Sequence, residues 1–317
     1  MEALDYGYLV RRRTSEPFLI GTEITVITIV FYIVAALLVE YVYGQAFTTL
    51  AAIEDPNPNI YSGFGVDDSI DRRPITSSPG STIKHLQASG SRLAYFRGFG
   101  LYLLINLAGF AILLLFFSLA PAFYFVGSFI AVLAVSNLQV AWVHIVISKP
   151  STKSTWSRIP PFRKTWVKVS RAAILRSIAS QLVQWTVGPI AHSMNTALIP
   201  NGENIYRDLF LNIGILILHL VLYVLIQMPA EATFNRVAAS MLPDDDESIV
   251  PFDCSFAGKL TPAVVGDSGS ISALDAWRSF NIESQMLVAK AVGWNFGLQI
   301  ALLIFFSIVF ILGPFLT

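Results

Sequence analysis

Six long apolar segments follow one another along the chain, and most charged residues lie between them. The segments cover residues 17–43, 101–120, 123–148, 172–191, 209–228 and 291–316. Each is close to the ~20 residues that an α-helix needs to cross about 30 Å of hydrocarbon. The pattern therefore predicts an all-α integral membrane protein with six transmembrane helices. The fourth segment contains Arg176, Gln181 and Gln184, so an alternative is that it lies in the membrane interface.

The connections between the segments alternate between long and short, which groups the helices into three tandem hairpin repeats. The hairpins correspond to residues 1–120, 121–200 and 201–317. With six spans, the three long connections lie on one side of the membrane, and they hold 16 of the 21 lysine and arginine residues. The positive-inside rule places them in the cytosol, or in the matrix of a mitochondrion.

The connection from Lys149 to Arg171 contains seven basic residues and no acidic residue. Such a loop is typical of a topology determinant, and it also suits the binding of anionic lipid. The acidic run at residues 244–247 lacks the spaced ligands and the central glycine of a calcium loop, which favours a solvated loop.

A short motif occurs at the entry to both the second and the sixth segment. Residues 93–99 read Leu-Ala-Tyr-Phe-Arg-Gly-Phe, and residues 274–280 read Leu-Asp-Ala-Trp-Arg-Ser-Phe. The shared pattern contains Arg97, Gly98 and Arg278, and each copy follows a Ser-Gly-Ser run. Because membrane transporters often contain internal repeats, the motif favours a duplicated hairpin, with chance similarity as the alternative.

The end of the fifth segment resembles a known family signature. Residues 228–236 read Met-Pro-Ala-Glu-Ala-Thr-Phe-Asn-Arg, which is similar to the Pro-x-acid-x-x-base-x-base motif of the mitochondrial carrier family. The resemblance implies a carrier-like bundle of three hairpins, in which the charges of this motif pair between units and close the matrix side. It also implies an aromatic-Arg-Gly element before the even helices, which Phe96-Arg97-Gly98 matches. The residues that match the gate motif are Pro150, Pro229, Glu231 and Arg236.

The gate motif is incomplete here, which changes the predicted closure. Thr152 stands where the second unit would have its acid, and Phe234 replaces one base. A ring of ion pairs therefore cannot form, and the gate is expected to be open or to be closed by apolar packing of Phe47 and Phe234. Glu231 and Arg236 point about 140° apart on a helix, so each should find its partner in a neighbouring unit. Pro229 should end or bend the fifth helix.

Polar side chains within the apolar segments are the candidate solute contacts, because a charged group at mid-helix costs roughly 2.5–3.5 kcal/mol to insert. By the family resemblance, the even helices contact the solute. The candidates predicted to share one cavity are Asn106, Arg176, Gln181 and Gln299. The alternatives are hydrogen bonds between helices for the amides and snorkelling to the interface for Arg176. His144 and His219 suit interhelical hydrogen bonds, with a proton relay as the alternative.

Composition excludes several classes of protein. Charged residues make up 13% of the chain, against about 25% in soluble domains, and hydrophobic residues make up 54%. The formal net charge of zero argues against a nucleic-acid binder. The sequence contains no catalytic motif, and its histidines and single cysteine are scattered. We therefore expect neither an enzyme nor a protein with a metal or other cofactor.

Taken with the resemblance, these patterns favour a carrier-like transporter of a small-molecule solute in a mitochondrial membrane, inner or outer. One alternative is a carrier-derived membrane protein that no longer transports and serves in membrane fusion, in protein insertion or as a scaffold. Another is an unrelated six-span protein of a different membrane.

Six spans predict that a tag at residue 1 and a tag at residue 317 lie on one side of the membrane, opposite the loop at residues 149–171. Protease protection of tags at the three positions in intact membranes measures this. Opposite protection of the two termini would mean that the fourth segment does not cross.

Overall fold

The computed structural model describes residues 26–56, 74–151, 153–197, 205–243, 245–252 and 269–312. Within these ranges the chain forms helices and loops, and the only β-pairing is an isolated bridge between Ser148 and Ser248. The helices are α1 (Val26–Ile53), α2 (Pro79–Ser89), α3 (Phe99–Leu119), α4 (Tyr124–Ile147), α5 (Phe162–Ala197), α6 (205–239), α7 (Ala273–Ser279) and α8 (Ile282–Leu312). Short 3₁₀ turns lie at Ile75–Ser77, Ala94–Phe96, Pro121–Phe123 and Trp156–Arg158.

Five of these helices are long and apolar enough to cross a membrane. They are α1, α3 with its preceding turn, α4, residues 210–239 of α6 and residues 282–310 of α8. The chain is therefore an all-α, multi-pass membrane protein. Helix α5 is the longest, with 36 residues, but its polar residues, including Arg176, lower its hydropathy. The sixth span and the threefold repeat stay predictions.

Pro229 lies inside α6 and does not end it. The helix consists of Ile205–Leu222, a π-helical turn at Tyr223–Gln227 and a further α-helical part, Met228–Ala239. A proline ring clashes with the carbonyl group four residues earlier, which here belongs to Leu225 in the π-helical turn. A π-helical turn is wider than an α-helical one, so it takes up the irregularity and lets the helix continue.

Helix α1 also continues beyond its predicted end at residue 43. A π-helical stretch, Glu40–Phe47, is followed by one more α-helical part, Thr48–Ile53. Residues 44–53 carry no charge, and the side chains from Thr49 to Ile53 are buried. Packing against the end of α6 therefore stabilises ten residues that the predicted span left outside the membrane helix.

The contacts of the chain divide it into two units, one made of residues 46–291 and a smaller one made of residues 1–45 and 292–317. In the larger unit, the core forms where Thr48–Ile53, the last turns of α4 and Met228–Ala239 meet. Buried alanines on this part of α6 let the neighbouring helices approach closely. Phe47 and Phe234 are both buried, as closure by apolar packing requires.

The loop before α7 crosses the ends of the membrane helices. We call residues 245–252 the strap. The Ile249 amide donates to the Ile147 carbonyl at 2.7 Å, and the Asp55 amide donates to the Pro251 carbonyl at 3.0 Å. Ile249 is itself buried. The strap therefore joins the ends of α1 and α4 through main-chain hydrogen bonds.

In the smaller unit, the described part of α1 packs against the described part of α8. The rings of Tyr32 and Phe306 meet edge to face with their centroids 5.7 Å apart. Gln299 Nε2 donates to the Ala36 carbonyl at 3.0 Å. The remaining faces carry exposed large apolar side chains, which suits contact with lipid.

Phe234→Ala should lower the free energy of unfolding by roughly 3–5 kcal/mol, because it leaves a cavity in the core of the larger unit. Phe110→Ala is the matched control, since the Phe110 ring is 56% exposed and its loss should cost less than about 1 kcal/mol. Chemical unfolding of the purified protein in detergent, followed by tryptophan fluorescence, measures both. Equal losses would contradict a closure built around Phe234.

Candidate functional site

A charged group lies between α4, α5 and α6 in the larger unit. Arg176 on α5 donates a hydrogen bond to Gln139 Oε1 on α4. Its guanidinium carbon lies 4.4 Å from the centroid of the Phe234 ring on α6, within the range of a cation–π interaction. Glu231 on α6 is close enough to Arg176 for an electrostatic attraction. We call these four residues the polar centre.

The π-helical turn of α6 supplies the hydrogen-bond donors to Glu231. Tyr223 Oη donates to one carboxylate oxygen at 3.1 Å, and Gln227 Nε2 donates to the other at 2.9 Å. These donors are the first and last residues of the turn. Sequence analysis did not identify them, although their spacing of eight and four residues before Glu231 places them along one side of a helix.

The partner of Glu231 differs in position from the one that the gate motif suggested. The resemblance pointed to a base at the long-loop edge, whereas Arg176 lies within α5. The two residues do belong to neighbouring predicted hairpins, 121–200 and 201–317. Glu231 therefore acts at the polar centre rather than at the outer end of the helix.

The other predicted cavity residues each bond to a nearby protein group. Gln181 Nε2 donates to Ser128 Oγ on α4. Asn106 Nδ2 donates to the Tyr102 carbonyl one turn earlier in its own helix, at 2.8 Å. Gln299 lies in the smaller unit, where it bonds to α1. Only Arg176 and Gln181 are thus brought to the same pair of helices, and a single cavity shared by all four residues stays a prediction.

Arg236 holds the helix ends together at the other end of Met228–Ala239. Its side chain is buried, and Nε donates to the Ala52 carbonyl in the last turn of α1 at 2.7 Å. Its Nη1 and Nη2 donate to Ser279 Oγ at 2.8 Å and Ser284 Oγ at 3.1 Å. A helix end leaves carbonyl groups without partners, and this guanidinium satisfies one of them. The hydrogen-bond acceptors of Arg236 are therefore uncharged groups, and one of them, the Ala52 carbonyl, belongs to the predicted hairpin 1–120.

The repeat element is used in one copy to stabilise the end of α4. Arg97 Nη2 donates to the carbonyl groups of Ile145 at 2.9 Å and Lys149 at 3.3 Å. Gly98 precedes α3 with a φ of 80°, which glycine adopts without steric cost. In the second copy Arg278 is exposed, so the two copies do not play the same part. Pro150 follows α4 and is also exposed.

The acidic run is paired with the basic loop. Glu247 bonds to Lys149 at 2.8 Å, and Lys153 bonds to both Asp245 and Asp246. The Asp246 side chain is only 5% exposed and also lies 3.4 Å from Arg158. Asp245 and Glu247 stay exposed to solvent, as expected of a solvated loop, whereas Asp246 is buried, and Asp244 lies outside the described residues.

A second carboxylate lies in the smaller unit, at the start of the π-helical stretch of α1. Gln45 Nε2 donates to Glu40 Oε1 at 3.1 Å, and Asn295 Nδ2 on α8 donates to Oε2 at 2.9 Å. A Cβ atom on Gly44 would lie 2.5 Å from Glu40 Oε1, so glycine makes room for this carboxylate. Sequence analysis did not identify Asn295 as its partner, because the contact joins the two ends of the chain.

Comparison with known proteins adds no assignment, since the chain matches no family model and no curated protein. Among the residues that the structure describes, no group of three or more His, Cys, Asp or Glu side chains is arranged to hold a metal ion.

Arg236→Gln should lower the free energy of unfolding by about 3 kcal/mol, because it leaves the Ala52 carbonyl and the Ser279 and Ser284 hydroxyl groups with weaker partners. Glu231→Gln is nearly isosteric and should cost about 1–2 kcal/mol, since its single amide oxygen keeps one of the two donors, Tyr223 or Gln227, and loses the other. Thermal unfolding of both variants in detergent measures the difference. A larger loss for Glu231→Gln would mean that its charge, rather than its hydrogen bonds, stabilises α6.

The attachment of the strap should weaken in acid. The hydrogen bond from Lys153 lowers the pKa of the Asp245 carboxyl, and the same contact raises the pKa of Lys153. The stabilisation is therefore complete above the unfolded-state pKa of about 3.9 for Asp245, and it is lost as the pH falls through the lower folded-state value. In alkaline solution the stabilisation is complete below the unfolded-state pKa of about 10.4 for Lys153, and it is lost as the pH rises through the higher folded-state pKa of Lys153.

Hydrogen exchange at the strap amides, corrected for the intrinsic rate, measures this attachment. Protection should stay constant between about pH 5 and 9 and fall in stronger acid. Asp245→Asn should lower protection at neutral pH and reduce the change in acid. An unchanged acid transition in this variant would show that another group controls the strap.

Proposed function

We propose that the protein transports a small polar solute across a membrane and that the polar centre binds this solute. The observation that carries the proposal is the placement of Arg176 and Glu231 on helices within an otherwise apolar helical assembly. A charged group inside hydrocarbon costs several kcal/mol, so intramembrane charges are rare and usually serve a function. Arg176 and Glu231 each hydrogen-bond to uncharged groups and attract each other, and a solute with an anionic group and a polar or cationic group would offer a complementary group to each.

The packing around Phe234 supports a closed state of such a transporter. Phe234 contacts the Arg176 guanidinium on one side and is buried in the core where the helix ends meet. Apolar packing of this kind would replace the ion pairs that close a carrier. Opening toward the long loops would require the ends of α1, α4 and α6 to separate, which would uncover the polar centre.

The surface of α5 supports a sixth span. The exposed large side chains from Ile174 onward lie along one side of the helix, as a lipid-facing stripe requires. They are Ile174, Ile178, Leu182 and Trp185. Arg176 and Gln181 instead bond to α4. With α5 as a sixth span, the chain has the three hairpins of a carrier-like bundle, and we propose a mitochondrial membrane as its location.

A second candidate function is that of a carrier-derived protein that no longer transports. It is favoured by the fact that Gln181, Asn106 and Gln299 all bond to protein groups. The Gln181 and Gln299 bonds each join two helices, which stabilises helix packing without needing a solute. In this case the protein would serve as a membrane scaffold, or in membrane fusion or protein insertion.

Ligand-dependent thermal stability separates the two candidates. A solute that binds the folded state raises the unfolding temperature in a concentration-dependent manner, so the purified protein is tested against a panel of organic acids, amino acids, phosphates and organic cations. A stabilising solute should exchange across proteoliposomes that contain the protein. Arg176→Gln should abolish both effects. Arg163→Gln is the matched control, because Arg163 is an exposed arginine on the same helix.

Stabilisation without exchange, or no stabilisation by any solute, would favour the non-transporting candidate. A fluorescent fusion combined with fractionation of mitochondria tests the location. A signal outside mitochondria would remove the carrier proposal and favour an unrelated six-span protein.

A further inference from the structure

A small cavity lies where the end of α4 meets the beginning of α5 in the larger unit. Its volume is about 170 Å³. The residues that line it include Val140, His144, Pro161, Lys164, Thr165 and Lys168. None of them belongs to the polar centre, so the cavity is a separate feature of the molecule.

Two lysine side chains, Lys164 and Lys168, line the cavity. Lys164 and Lys168 are four residues apart on α5, which places their side chains on the same side of the helix, where like charges repel. Neither lysine makes an ion pair with a residue in the described part of the chain. The nearby acidic residues 245–247 are already bonded to Lys149, Lys153 and Arg158. An anion bound between Lys164 and Lys168 would therefore be attracted by both ammonium groups and would offset the repulsion between them.

His144 adds a hydrogen-bond acceptor to this positive site. It is buried, and its Nε2 donates to the Ala238 carbonyl at 2.8 Å. In the neutral ring the proton on Nε2 leaves Nδ1 as an acceptor. This bond to α6 is the interhelical contact expected for His144. An anion that also carries a proton could donate to Nδ1 while its oxygens accept from the lysines.

We propose that this cavity binds a phosphate group, held by Lys164 and Lys168 and donating its proton to a hydrogen bond with His144. Near pH 6, about half of the molecules of a phosphomonoester carry one proton. This singly protonated form can accept hydrogen bonds from both lysines and donate one to His144. Sulfate has a similar shape but no such proton. The group belongs either to a lipid headgroup or to a soluble phosphate, and the site does not depend on whether the protein transports.

Thermal unfolding of the full chain at pH 6 tests the proposal, with three probes used separately. They are inorganic phosphate, inorganic sulfate, and nanodiscs of phosphatidylcholine with and without phosphatidic acid. We expect phosphate or phosphatidic acid to raise the unfolding temperature, and phosphate to act at a concentration at least tenfold lower than sulfate. Stabilisation by inorganic phosphate indicates a soluble ligand, and stabilisation by phosphatidic acid alone indicates a headgroup.

The double variant K164Q/K168Q should weaken this stabilisation at least tenfold. The matched control R163Q/R171Q removes two charges from exposed positions of the same helix and should keep it. Because K164Q/K168Q no longer has the repulsion between the two lysines, its unfolding temperature without anion should equal or exceed that of the native protein. This measurement shows whether the variant is folded. Equal weakening in both variants, equal stabilisation by sulfate and phosphate, or no stabilisation by any probe would overturn the proposal.

Discussion

The larger unit depends on the packing of one short helical part, Met228–Ala239, among four neighbours, α1, α4, α5 and α7. Its alanines allow these helices to come close, and the buried Phe234 side chain packs among them. Lipid does not drive helices together as water does, so close contact and hydrogen bonds must hold them. Arg236 provides such bonds at one end of this part, and Glu231 and Arg176 provide an attraction at the other.

The two charged residues on this part of α6, Glu231 and Arg236, have different kinds of partner. Glu231 accepts hydrogen bonds from its own helix and is attracted by Arg176 on α5, whereas Arg236 donates its hydrogen bonds to uncharged acceptors and is attracted by Asp55. A guanidinium keeps its charge in either place, and its five donors allow it to satisfy several carbonyl and hydroxyl groups at once. Arginine can therefore join helix ends through hydrogen bonds to uncharged groups.

Features of the fold that depend on local composition, such as the membrane helices, could be predicted from the sequence. Apolar length identified five membrane helices, and the burial of Phe47 and Phe234 agrees with their apolar character. The partners were harder to predict, because Arg236 bonds to Ala52 and Asn295 bonds to Glu40 across most of the chain. The continuation of α1 to Ile53 and of α6 past Pro229 also depends on tertiary packing, which overrides local signals. The ion pairs of the strap were missed for the same reason, since Lys153 and Asp245 are distant in sequence.

The two π-helical stretches have a consequence for how this chain should be aligned with other proteins. A π-helical turn contains more residues than an α-helical one, so side chains after it are rotated relative to those before it. The inward face of α1 or α6 therefore does not follow a single period of 3.6 residues from one end to the other. An alignment with regular helical bundles must place a gap within Glu40–Phe47 and within Tyr223–Gln227. Without these gaps, residues that point inward would be compared with residues that point toward lipid.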